Sequence, residues 1–241
     1  MFQNCKDLKI QHLNLLNSAK NHLAIDGCSG SRISNVYISS PENSPNTDGI
    51  DIASSSNVQI LDSTIKTGDD CVAINGGSSF INITHVQCGP GHGISVGSLG
   101  SNGAHETVEE VHVSNCNLTN TMYGLRIKTW QGGSGYVRKI AFDQINVINV
   151  GIPIFIDQYY CNGGNNCGTS KRSGLQVSDV SFRGVTGTSS SRDAIKLICS
   201  RTIGCYNILM QGISIRPGLA TCINAHGRAF QTVPALPCLS P

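Results

Sequence analysis

Residues 48–96 contain Ile50-Asp51-Ile52, Val72-Ala73-Ile74 and Ile94-Ser95-Val96, one apolar–any–apolar triplet recurring at steps of 22 residues. The series continues on both sides, with Leu23-Ala24-Ile25 before it and Leu125-Arg126-Ile127, Ile154-Phe155-Ile156 and Ile195-Lys196-Leu197 after it. Its full set of steps is 27, 22, 22, 31, 29 and 41 residues. A second series trails most of the first: the run Ile33–Ile38, then Val58-Gln59-Ile60, Ile81-Asn82-Ile83, Val111-His112-Val113 and Ile140-Ala141-Phe142. Each run is short, β-branched, alternating with period two and bounded by Gly, Ser or Asn, which is the signature of a strand.

Two or three strands per repeat, with no helical segment between them, predict an all-β parallel β-helix, a β-solenoid. A βαβ array is excluded because its crossovers need helices. The Leu-x-x-Leu-x-Leu spacing of a leucine-rich repeat is absent, and a sandwich would show hairpin signals between strands. Residues 1–241 are expected to form one such stack. The longer steps must eject loops, with Gly97–Val108 and Gln158–Gly174 the main candidates to wall a groove. Composition agrees: 13% of residues are charged, against about 25% in an average globular protein, and 27 of 241 are Gly. A net charge of +2 with mixed signs argues against a nucleic-acid partner. No apolar run approaches the ~20 residues of a membrane span, so no membrane partner is expected.

Residues at equal offset from the repeated strand stack into ladders, about 4.7–4.9 Å per coil. Two positions before the first apolar residue stand Asp48, Asp70 and His92, with Asp69 beside Asp70. Carboxylates this close repel and raise a pKa, which argues against a purely structural role. On a later coil Leu125 and Ile127 point inward, so Arg126 and Lys128 point outward on the same face. These cations either neutralise the carboxylates or bind an anionic substrate. Neither a nucleophile elbow nor a zinc spacing is present, so no metal or other cofactor is expected. Paired carboxyl groups suit glycosidic cleavage, and the cations point to an acidic polymer. The residues alone therefore indicate hydrolysis or lyase cleavage of a polyuronate.

Eleven cysteines and the sequons at Asn82 and Asn117 suit a secreted glycoprotein, although Met1–Lys6 lacks the plan of a signal peptide. The expected disulfides are Cys71/Cys88, Cys161/Cys167, Cys199/Cys205 and Cys222/Cys238. Cys5 and Cys28, one coil apart, stack or bond, which leaves Cys116 as the odd thiol. Asp51, outward on the catalytic strand, contacts sugar or is solvated, with the solvated reading favoured; Asp26, Asp62, Glu109 and Glu110 read as solvated turn or loop residues. His22, His85, His112 and His226 read as surface or turn residues. Trp130 stacks on a sugar or packs under a loop.

Four stretches together resemble the plant polygalacturonases, inverting glycoside hydrolases that cleave pectin. They are Ser44-Pro45-Asn46-Thr47-Asp48-Gly49, Gly68-Asp69-Asp70-Cys71, Cys88-Gly89-Pro90-Gly91-His92-Gly93 and Arg126-Ile127-Lys128. The resemblance implies a right-handed parallel β-helix and metal-free hydrolysis of de-esterified homogalacturonan with inversion. By motif position Asp69 is the general acid, Asp48 and Asp70 activate water, and His92 tunes the acid or holds the sugar. Asn46, Arg126 and Lys128 are implied substrate contacts, as is Tyr160, whose neighbour Tyr159 is the alternative. The resemblance also implies a secreted, cell-wall, monomeric enzyme, with a proteinaceous inhibitor as a further partner. Members of that family have additional coils ahead of the matched region, so the chain is expected to lack its N-terminal portion. Three other readings stay open: a pectate lyase, a rhamnogalacturonan hydrolase, and a truncated, weakly active or silent pectin-binding solenoid.

Overall fold

The computed structural model describes residues 1–162 and 174–239. Within them one wall of the solenoid is a nine-stranded sheet. Its strands are Phe2–Gln3, Leu23–Asp26, Ile50–Ala53, Val72–Ile74, Ile94–Leu99, Tyr123–Thr129, Ile152–Asp157, Asp193–Ile198 and Leu219–Ile223. All pair in parallel, and Leu23, Ile50, Val72, Ile94, Leu125, Ile154 and Ile195 face one another in line. That ladder is the triplet series of the sequence, rung for rung.

The remaining walls start as two strands per coil, for example Ser56–Leu61 followed by Thr64–Lys66. They merge on the long strand Ser134–Val150, which pairs with both His105–Ser114 and Asn117–Thr119. From there each coil carries one bent strand: Gln176–Ser189, Cys205–Ile215 and Ala225–Val233. Ile33–Ile38, one run in the sequence, therefore divides into Arg32–Ser34 and Tyr37–Ser39.

The bend between these walls recurs in the left-handed backbone region, at Asn35, Asp62, His85 and Asn115, with φ between 46° and 55°. Asn, Asp and His enter that region at least cost among non-glycine residues. Each bend donates its N–H to the rung above, as Asp62 does to Thr84 O at 3.2 Å. Asp62 and His85 are thus turn residues, as the sequence indicates. Inside, Ile, Val and Leu fill every rung, and Phe142 stacks on Phe182 with centroids 4.9 Å apart.

Disulfides link Cys71–Cys88, Cys199–Cys205 and Cys222–Cys238, as expected. The expected Cys161/Cys167 pair falls on Cys167, outside the described residues. Cys5 and Cys28 are not bonded; they stack, with the Cys5 N–H donating to Cys28 Sγ at 3.2 Å. Cys116 is free and buried. The expected loop over Gly97–Val108 shrinks to a short turn, because strand Ile94–Leu99 runs on and the next begins at His105. Most of the Gln158–Gly174 loop lies outside the described residues. Asn82 and Asn117 sit half-buried within strands, not in loops.

Several groups that read as solvated or as surface residues have partners across rungs. Glu109 and Glu110 pair with Arg138 and Lys139, each at 2.7 Å. His85 meets Asp62 at 3.4 Å, and His112 meets Asp143 at 2.9 Å. Phe142 and Phe182 are fully buried, so Phe182→Ala should cost about 3–5 kcal/mol through lost contact and a residual cavity. Equilibrium denaturation should show this as a lowered midpoint.

Candidate active site

The catalytic candidates lie at the turn entering the nine-stranded sheet. Gly49 donates to Asp70 O at 2.9 Å and Cys71 donates to Gly93 O at 2.8 Å, so Asp48, Asp70 and His92 share one ladder. Tyr123, two positions before Leu125, is its next rung. The Gly-Asp-Asp turn is clamped from outside: Gly68 donates its N–H to Thr47 Oγ1 at 3.0 Å. A Cβ at Gly68 would lie 2.0 Å from Ser44 O, so this position tolerates only glycine. The disulfide from Cys71 to Cys88 braces the same turn against the next coil. Asn46 caps the outer loop, exposed and left-handed at φ 56°.

The side chains then separate by partner. Asp69 Oδ1 meets His92 Nδ1 at 3.0 Å and also accepts the Asp70 N–H at 2.9 Å. Asp70 is buried and accepts from Ser95 Oγ and Lys128 Nζ, both at 2.7 Å. Lys128 therefore neutralises Asp70, one of the two roles its position allows. The other two ammonium protons remain for a ligand. Arg126 lies over the Tyr123 ring at 3.9 Å and reaches Asp157 at 3.7 Å. Among the described residues its Nε is buried without a hydrogen-bond partner.

Tyr160 stands over both cations, 5.2 Å from Arg126 and 5.4 Å from Lys128, with Trp130 edge-on at 5.4 Å. Tyr159 turns away and accepts from the Arg201 N–H at 2.8 Å. The geometry therefore brings Tyr160, not Tyr159, to the cluster, and Trp130 packs against it. Beside His92 a pocket of ≈ 550 Å³ runs along the turns, past Met122, Gly151 and Ser190, with Glu42 on its rim.

Comparison with known proteins bears on this arrangement. The family model described as "Glycosyl hydrolases family 28" matches residues 1–232. A protein of Arabidopsis thaliana named "Probable polygalacturonase At3g15720" is 46% identical across 99% of this chain and 54% of its own length. A polygalacturonase of Cryptomeria japonica is 43% identical across 97% of this chain and 46% of its own length. The solved structure of a polygalacturonase from Erwinia carotovora ssp. carotovora superposes with a TM-score of 0.78 at 26% identity, over 91% of this chain and 57% of that one. The chain belongs to glycosyl hydrolases family 28. It spans about half the length of the curated relatives it matches.

The electrostatics of this family 28 site are uneven. Burial, then repulsion from Asp51, Asp69 and Asp70, pushes the Asp48 carboxyl up to about 7. Burial also works against ionised Asp69, but the His92 hydrogen bond and charge, the Asp70 N–H and Lys128 outweigh it and hold Asp69 below the usual range. Asp51 is not simply solvated: Asn21 Nδ2 donates to it at 2.6 Å. Burial, followed by Asp70 and Asp69, raises its pKa against that hydrogen bond. His22, which reads as a surface residue, bridges Asp48 O at 3.2 Å and Ser40 Oγ at 2.9 Å.

Asp69, Asp70 and His92 place ligand atoms within 4.8 Å of one another, close enough to share a divalent cation. The Lys128 ammonium already contacts Asp70, so a metal there would meet a fixed positive charge. The residues fit a proton-transfer site better than a metal cage. Ser95, Tyr123 and Asp157 complete the cluster, and sequence reasoning does not single them out. Tyr123 is recoverable as the fourth rung of the Asp48–Asp70–His92 ladder; Ser95 and Asp157 carry no comparable signal.

The Asp48 shift makes a stability prediction. An unfolded Asp titrates near 3.9, so a folded pKa of about 7 gives stability that is present below pH ~4 and lost as pH rises through ~7. Asp48→Asn removes this dependence. The variant should gain about 2–4 kcal/mol relative to the parent between pH ~4 and ~8, read as a widening difference in melting temperature.

Proposed function

We propose that this chain hydrolyses α-1,4-galacturonosyl linkages of de-esterified homogalacturonan with inversion of configuration. The supporting observation is the juxtaposition of three differently held carboxylates with two cations on one rigid face. Asp69 is paired to His92, Asp70 is fixed as an ion pair, and Asp48 favours its proton. Arg126 and Lys128 stand beside them to receive a uronate carboxylate. The family's polygalacturonase relatives support the same substrate class.

In the proposed reaction Asp69 gives its proton to the glycosidic oxygen as the anomeric C–O bond breaks. A water oxygen bonds the anomeric carbon from the opposite face and yields its proton to Asp48 or Asp70. Asp70 enters already ionised, held by Lys128 and Ser95. In the free site the cluster's proton rests on Asp48, whereas the reaction needs it on Asp69. A bound sugar deepens the burial of Asp69, and its carboxylate offsets Lys128; both raise the proton affinity of Asp69. The four coupled carboxylates then redistribute one proton.

The upward shift of Asp48 favours a second assignment, with Asp48 as the acid and Asp69 as the water activator. An aryl galacturonoside with a nitrophenolate leaving group separates the two, because such a group departs without a proton. Asp69→Asn should lose nearly all turnover of polygalacturonate, retain binding, and keep most activity on the aryl substrate. Loss on both substrates by Asp69→Asn, with Asp48→Asn losing polygalacturonate turnover but keeping the aryl substrate, would transfer the acid role to Asp48. Undiminished turnover of polygalacturonate by Asp69→Asn would refute both assignments.

The pH dependence follows from the same proton. Hydrolysis of polygalacturonate by the parent should be greatest at acidic pH and fall as pH rises through about 7, where Asp48 ionises. A rate–pH profile that stays level into alkaline conditions would contradict this. A pectic substrate supports a secreted, cell-wall location, and we propose a monomer with a proteinaceous inhibitor as a further partner.

A further inference from the structure

The outward positions of the nine-stranded sheet form their own ladder: Asp51, Ala73, Ser95, Arg126, Phe155 and Lys196 on successive rungs. Its charge is polarised, with a carboxylate at one end and cations toward the other. Arg126 and Lys196 stand two rungs apart, about 9–10 Å at the spacing of paired strands. Phe155 lies between them, half-buried on the solvent side of Ile152–Asp157, although the core takes its neighbours Ile154 and Ile156. Its ring is 5.4 Å from the Arg126 guanidinium, 6.0 Å from Lys196 Nζ and 5.8 Å from the Tyr123 ring.

Lys196 is held lightly. It contacts Asp193 Oδ2 at 3.2 Å, and both side chains are substantially exposed, 29% and 38%. Ion pairs this exposed are weak, and an ammonium in one such contact keeps two protons to donate. Asp157 also lies within its field. A half-buried phenyl ring on the solvent side, flanked by two cations, presents what a uronate needs, an apolar platform for the ring and an ammonium for the carboxylate.

We propose that Phe155 and Lys196, one and two coils beyond Arg126, form a second uronate subsite that holds a galacturonate of the chain further from the cut. The polymer then lies along the ladder toward the cationic end and away from Asp51. This rests on the polygalacturonate reading given above. The competing role for Lys196 is charge balance of Asp193 and Asp157 alone.

Binding titrations with hexagalacturonate, trigalacturonate and carboxyl-reduced hexamer distinguish the two, in the Asp69→Asn background that prevents turnover, with Lys196 unchanged, Lys196→Gln or Lys196→Arg. Lys196→Gln should weaken hexagalacturonate binding about ten-fold, the scale of one charge-assisted contact. The trimer should lose far less, the neutral hexamer nothing, and Lys196→Arg should restore most of the affinity. Equal loss on the neutral hexamer, or no loss on hexagalacturonate, would overturn the subsite. The hydrolase reading fails separately: a parent chain that binds hexagalacturonate through Lys196 yet releases no reducing ends keeps the subsite and loses the activity.

Discussion

Rung-to-rung hydrogen bonding in one register is the constraint on which everything else in this molecule depends. Leu23, Ile50, Val72, Ile94, Leu125, Ile154 and Ile195 stay in line because each strand pairs in parallel with the next without a shift at these residues. Side chains alternate along a strand, so a slip of one residue would turn Arg126 and Lys128 into the core and expose Leu125 and Ile127. The bonds that fill the interior are therefore the bonds that aim the cations. Asp48, Asp70, His92 and Tyr123 inherit their alignment from the same register, two residues before the core.

The charge placed on this scaffold is costly. Burying Asp70 against Lys128 does not stabilise a fold relative to apolar packing, and removing either partner alone leaves an uncompensated charge. Asp48 and Asp51 are raised by burial and by neighbouring carboxylates, a concentration of like charge not repeated elsewhere among the described residues of a chain that is 13% charged. Local bracing offsets it: the Cys71–Cys88 disulfide, the Thr47 hydroxyl on Gly68, and the Asn21 amide on Asp51. Perturbed carboxyls held this firmly suit proton transfer, which supports the proposed catalytic role.

Much of this is legible in the sequence because a solenoid converts sequence interval into spatial contact. Steps of 22 residues bring Asp48, Asp70 and His92 onto one ladder, and the same arithmetic yields the strand series. Contacts that depend on side-chain direction lie beyond that arithmetic. Lys128 reaches Asp70 across 58 residues and Asn21 reaches Asp51 across 30; nothing in local pattern distinguishes these from solvated groups. Asp51 reads wrongly as solvated for that reason. The Gly97–Val108 loop reads as too long because glycine-rich sequence signals a turn equally well when strands continue up to it, as Ile94–Leu99 does. Which tyrosine faces the cations depends on the backbone turn after Asp157, which no spacing encodes.

The central claim is that these carboxylates cleave a polyuronate by direct displacement with water. Proton NMR of the reducing ends released from polygalacturonate, recorded in the first minutes of reaction, tests it most directly. The account predicts that the new ends appear first as the β-anomer, inverted from the α-linkage, and then mutarotate. Initial α-anomer, or an unsaturated non-reducing end formed by elimination, would contradict it.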